Sequence, residues 1–171
     1  MNDRLVADLR ARRPEALDAL LHEHGAEIQA VAFLILRNAS DAEEVLADAL
    51  LIAWRRIDTL RDADRLRPWL HRIATRLALR RRRRPRIVAL SLDAAGQQVA
   101  RPRDPIDRIT LTETLDRLPP RMRAVVALHY VVGLSVPEIA DAVDRSENTV
   151  KSQLREARAR LRADLGGPAP S

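Results

Sequence analysis

Four helix breakers, Pro85, Gly96, Pro102 and Pro105, fall within about twenty residues near the middle of the chain and split the sequence into two folding problems. Proline lacks the amide donor a helix interior needs, and glycine loses the most freedom when it is ordered. On either side apolar residues recur at helical spacing, from about Leu5 to Arg84 and from near Ile109 to about Leu165. The expected fold is all-α, two small helical domains joined by a flexible linker. Residues 1–84 form the first domain, 85–107 the linker, 108–165 the second domain and 166–171 a disordered tail. Composition agrees, because strands favour β-branched and aromatic residues. Only Phe33, Trp54, Trp69 and Tyr130 are aromatic, while alanine, leucine and arginine, all good helix formers, dominate.

Local signals place the helices. Ser40-Asp41-Ala42-Glu43 has the form of a capping box, predicting a helix from there to about Ile57. A polar turn follows, Asp58 to Asp64, and then a helix from about Leu66 to Arg83. Pro68 fits only in that helix's first turn, where its missing N–H has no partner to lose. Ser135-Val136-Pro137-Glu138 is a second capping box, opening a short helix that ends near Val143. After a tight turn, Ser146 is placed to cap a longer helix from Glu147 to about Arg162. Two helices joined by so short a turn follow the helix-turn-helix plan.

Charge is unevenly spread. Residues 1–75 carry 11 basic and 13 acidic side chains, residues 76–103 nine and one, and residues 104–171 ten of each. The whole excess of +6 therefore sits in one short central segment, as a nucleic-acid contact requires. A preference for arginine over lysine, of which Lys151 is the only example, explains the residue type but not the clustering. Cysteine is absent, which excludes disulfides and thiolate metal sites. His22, His24, His71 and His129 lack metal-ligand spacing, and no glycine-rich phosphate loop is present. No enzyme activity and no cofactor are expected. With no signal peptide and no apolar stretch approaching a membrane span, a cytoplasmic protein without membrane insertion is expected.

On the last helix Val150, Leu154, Ala157 and Leu161 share one face and form the core stripe. Asn148, Ser152, Arg155 and Ala159 lie opposite, with Lys151 beside them. Small Ala140 can sit where the helices cross. Short polar groups and long cations on the free stripe suit a helix lying in the major groove, although a solvated amphipathic face has the same pattern.

The preceding residues narrow the choice. Leu115-Asp116-Arg117-Leu118-Pro119-Pro120-Arg121 leads through Leu128-His129-Tyr130 to Gly133-Leu134-Ser135. Glu138-Ile139-Ala140, Asn148-Thr149-Val150-Lys151-Ser152 and Ala157-Arg158 follow. This order resembles the promoter-reading fourth domain of sigma-70 family factors over about fifty residues. The first half resembles the second sigma domain, as found in the small extracytoplasmic-function (ECF) group. The matching residues are Asp41-Ala42-Glu43-Glu44-Val45, Ala53-Trp54-Arg55-Arg56, Trp69-Leu70 and Ile73-Ala74. The resemblance implies an alternative sigma factor that binds core RNA polymerase and directs initiation at promoters with −10 and −35 elements.

Site assignments follow from the resemblance. Asn148, Thr149, Lys151, Ser152, Arg155 and Arg158 are expected at the −35 element, for which the family's preference is GGAAC-like. Arg67, Arg72, Arg76, Arg80, Arg83 and Arg84 are expected at the −10 element and its phosphates. The loop Leu60 to Arg67 corresponds to the surface that captures a flipped non-template base, whose unstacking the pocket must offset. Asp41, Glu44, Asp48, Leu51 and Arg55 step along one face, and the resemblance makes it the dock for the β′ clamp helices. The second domain is expected to grip the β flap. An anti-sigma factor is a further implied partner. Trp69 either stacks on DNA or, with Leu66, Leu70 and Ile73 around it, packs in the core, the more common outcome.

Several positions depart from the family pattern. Ala47 stands where glutamine is common, Arg76 and Arg80 where asparagine and aspartate are, and Gln153 and Glu156 where basic residues are frequent. Asp144 and Asn148 stand where glycine is usual, and both residue types tolerate left-handed geometry. Two other functions remain open on sequence alone. An ordinary helix-turn-helix regulator accounts for the second domain only, and a degenerate sigma homologue would bind without initiating.

Overall fold

The computed structural model describes residues 2–83 and 115–165, with side chains as far as Ala163. Arg84, the expected linker, the start of the second helical run and the tail at 166–171 lie outside the described residues. The first half contains α1 (Asn2–Arg10), α2 (Pro14–Leu36), α3 (Ala39–Arg56) and α4 (Leu66–Arg83). The second contains α5 (Pro120–Tyr130), α6 (Val136–Val143) and α7 (Glu147–Leu165). Among the described residues there is no strand.

A left-handed Arg37, φ 55°, ends α2 and donates its N–H to Phe33 O at 2.7 Å. Asn38 then caps α3, its Oδ1 accepting the Asp41 N–H at 2.8 Å. The cap is therefore Asn38, not Ser40, which lies inside the first turn. Asn38 is the one extended residue between the two helices, and only extended geometry aims a side chain back at the N3 amide. Two 3₁₀ turns, Ile57–Thr59 and Ala63–Arg65, form the expected polar connection to α4. Small residues let α3 and α4 approach closely: Ala42, Ala49 and Ala53 on one, Ala74 and Ala78 on the other, all buried. Leu20, Ile28 and Ile35 of α2 close this core, each fully buried side chain contributing about 1.5–3 kcal/mol. Trp69 packs here too, with 7% exposure, as its apolar neighbours require. The chain entry is tied down by Arg10, which donates to Leu60 O at 2.5 Å, and by Arg12, which pairs with Asp58 at 2.8 Å.

In the second half Gly133, φ +75°, turns the chain after α5, a backbone conformation that strains other residues. The capping box then forms as the sequence predicts. The Glu138 carboxylate accepts the Ser135 N–H at 2.9 Å and its hydroxyl at 2.7 Å. Asp144 takes the left-handed conformation, φ 55° and ψ 59°, that ends α6. Aspartate thus holds the turn that glycine would otherwise make. Ser146 Oγ accepts the Thr149 N–H at 3.2 Å and opens α7.

The two halves pack against each other. One apolar core runs from Leu5 in α1 to Leu154 in α7. Arg123 of α5, 4% exposed, crosses the seam to donate to Ile35 O at 2.8 Å while also reaching Leu118 O at 2.9 Å. Arg37 reaches Asp116 at 3.3 Å on the rim.

Candidate nucleic-acid interface

The helix-turn-helix presents its second helix, α7, to solvent. Val150, Leu154 and Ala157 are buried beneath it, with Leu161 half-buried, and Ala140 and Ile139 of α6 complete the seat. Asn148, Lys151, Ser152 and Arg155 are exposed on the other side. Thr149 is half-buried, its hydroxyl 2.9 Å from Ser146 Oγ, so it supports the cap. Arg158 is exposed at its edge and donates from Nε to the Tyr130 hydroxyl at 2.7 Å, tying α7 to the end of α5. Four of the six expected −35 residues thus form one exposed polar stripe, in which Lys151 lies 4.0 Å from Glu147 of the preceding turn, and two are engaged within the bundle.

On α4, Leu66, Leu70, Ala74 and Ala78 face the core. Arg72, Arg76, Arg80 and Arg83 follow a separate stripe. Arg80 and Arg83 line a groove with Arg56 and Arg121. Arg72 and Arg76 are not free: Arg72 pairs with Asp141 of α6 at 3.0 Å, and Arg76 donates to the Asp141 carbonyl at 2.8 Å. Arg65 pairs with Glu138 at 2.8 Å. A cleft between the halves has Leu60, Trp69 and Arg72 on one wall and Pro137, Glu138 and Asp141 on the other.

Arg67 points elsewhere. Its Nε donates to Glu27 of α2 at 2.9 Å, and His71 Nε2, fully buried, lies 2.9 Å from the same carboxylate. Burial alone raises the Glu27 pKa, but hydrogen bonds from His71 and Arg67 outweigh it and hold the carboxyl at about 2. Burial lowers the pKa of neighbouring His24, against the pull of Glu23 and Glu27. This cluster pins the start of α4 to α2 and so fixes the loop in front of it. Nothing in the sequence pairs Glu27 with residues more than a helix away, and the cluster was missed for that reason.

The acidic stripe of α3 is partly satisfied from α4. Arg81 donates to Asp41 at 2.9 Å and also bridges to Glu44. Glu44, Asp48, Leu51 and Arg55 are exposed, and Asp41 is half-buried. Leu51, with 47% exposure, is one of few large apolar side chains left open among the described residues. Arg81 belongs to the basic end of α4, and its place against α3 depends on tertiary packing.

A bundle ending in an arginine-lined helix, followed by a three-helix unit whose last helix is exposed, defines a two-part protein of the helix-turn-helix class. The Sigma-70 region 2 family matches residues 20–86 and the Sigma-70 region 4 family residues 108–161. The ECF RNA polymerase sigma factor SigL of Mycobacterium tuberculosis is 31% identical over 167 residues, covering 94% of this chain and 94% of the relative. SigM of the same species is 32% identical, covering 96% of this chain and 85% of the relative. SigG, at 33% identity, is matched over only 45% of its own length, so this chain spans about half of that relative. The solved structure of CnrH in complex with the cytosolic domain of CnrY superposes with a TM-score of 0.70 at 27% identity, covering 99% of this chain and 100% of that one. The chain belongs to the ECF group of the sigma-70 family of RNA polymerase sigma factors. Among the described residues no helix is long and apolar enough to cross a membrane.

Proposed function

We propose that this chain is an alternative sigma factor that binds core RNA polymerase in the cytoplasm and directs initiation at promoters with −10 and −35 elements. It acts by binding and positioning, without catalysing a reaction of its own. The observation that carries this reading is the exposed stripe Asn148, Lys151, Ser152 and Arg155 on a helix seated by Val150, Leu154 and Ala157. Guanidinium and ammonium groups pair best with guanine, and asparagine with adenine, so the stripe suits a GGAAC-like −35 element. Arg80 and Arg83 would hold phosphates, with Arg72 and Arg76 joining them once released from Asp141. The face of α3 with Asp48, Leu51 and Arg55 would dock on the β′ clamp helices, and the second unit on the β flap. Residues 1–84 and 108–165 are the two working domains, joined by 85–107 and followed by the tail at 166–171. An anti-sigma partner is proposed from the sigma character of the relatives.

Co-elution with core polymerase in size-exclusion chromatography tests the first step. A stoichiometric complex is expected. Failure to co-elute, with the helical circular dichroism intact, would leave an ordinary helix-turn-helix regulator as the better reading.

A further inference from the structure

The turn between α1 and α2 is built against local preference. At the end of α1 the N–H groups of Arg12 and Arg13 reach back to Leu9 O and Asp8 O, each at 3.1 Å. The residue just past such a helix end takes left-handed geometry and is ordinarily glycine or asparagine. Here it is Arg12, φ 57°, whose Cβ makes that conformation costly. Its side chain offsets the strain. Arg12 pairs with Asp58 at 2.8 Å, donates to the Trp54 carbonyl and lies over the Trp54 ring, 5.8 Å from its centre. A sparsely populated conformation held by several contacts at once marks a place where position is constrained.

The segment it constrains is the loop between α3 and α4. Arg10 donates to Leu60 O at 2.5 Å, and α1 packs on both 3₁₀ turns of the loop. At the far end Glu27 holds Arg67 and His71. Between these anchors Thr59, Arg61, Asp62 and Asp64 are exposed. We propose that α1 and its turn brace this loop, with Arg10 and Arg12 acting as positioning residues for −10 recognition without touching DNA. The brace lies before the part of the chain that the Sigma-70 region 2 family matches, which begins at residue 20. The proposal rests on the proposed function in taking the loop as the surface that receives the flipped −10 base. A loose loop would have to be ordered during capture, and that ordering would weaken the captured state. A braced loop is ordered beforehand by the fold.

Arg12→Gly removes the side chain and relieves the backbone strain together, so thermal unfolding should stay within a few degrees of the parent. Arg10→Met keeps the apolar stem and loses the donor. In the free full-length chain each should speed amide hydrogen exchange across residues 58–66 while α2 and the middle of α4 exchange as in the parent. In holoenzyme, each should leave initial promoter binding unchanged and slow passage to the open complex by about tenfold, because a misplaced site loses rate before it loses affinity. The defect should shrink on templates already mismatched across the −10 element. Pairing Arg12→Asp with Asp58→Arg rebuilds the contact with its charges exchanged and should restore the opening rate, whereas a phosphate contact by Arg12 would stay lost. Unchanged loop exchange, a normal opening rate in the Arg10→Met, Arg12→Gly double variant, or a defect that the charge exchange fails to rescue overturns the proposal. If the parent itself opens no promoter, the functional reading fails and the −10 role with it, while the exchange rates still judge the brace.

Discussion

Arg155 and Leu154 are neighbours with opposite fates, one exposed and one 5% exposed on α7. Arg155→Ala should cost about 1–3 kcal/mol of specific binding and relax preference at one or two −35 positions, with the melting temperature unchanged. A selection that returns the same −35 preference with lower overall affinity would make Arg155 a phosphate contact. Leu154→Asp should instead unfold the second unit, because it places a charge in the core stripe. Glu27 makes a second residue-level claim. Its folded pKa of about 2 lies below the ordinary carboxylate value of 4.5, so ionised Glu27 stabilises the fold above about pH 4.5. That contribution is lost as the pH falls from about 4.5 to about 2. Glu27→Gln should lower stability by about 2 kcal/mol at pH 7, the scale of a lost charged hydrogen bond. Urea titrations of the two proteins should converge as the pH approaches 2, and a gap that persists there contradicts the assignment.

Among elements, α4, α6 and α7 were legible in the sequence because Pro68, which has no N–H to lose, belongs in a first turn, and Ser135, Glu138 and Ser146 fix the other two starts through local hydrogen bonding. The capping-box pattern at Ser40 puts the start of α3 two residues late, because Asn38 and Ser40 are both competent caps and only the path out of α2 selects Asn38. The stripe on α7 was equally readable, since periodicity alone separates its two faces. What could not be read were partners distant in sequence: Glu27 with Arg67 and His71, Arg81 with Asp41 and Glu44, Arg123 with Ile35. Such pairs depend on which helices become neighbours, which no spacing rule encodes. The α3 stripe shows the consequence for experiment. Reversing Asp41 and Glu44 to Lys also strips Arg81 of its acceptors, mixing stability with binding. Asp48→Lys combined with Leu51→Asp touches only exposed positions. It should weaken co-elution with core polymerase by at least about tenfold, about 1.4 kcal/mol, while thermal unfolding stays within a few degrees of the parent. Unchanged co-elution would move the dock away from α3.

At the scale of the whole molecule, the helix breakers between Pro85 and Pro105 separate two helical runs of the sequence. They do not reveal that the two runs pack face to face through a continuous core and a buried arginine. On the proposed function, this chain gives polymerase a promoter preference of its own. Transcription in vitro with purified core polymerase over a library randomised in both promoter elements tests it directly. Transcripts are expected from templates sharing a two-part motif, its upstream part GGAAC-like and sensitive to Arg155→Ala. Transcription no different from that of core polymerase alone, from a chain shown to be folded, would contradict it.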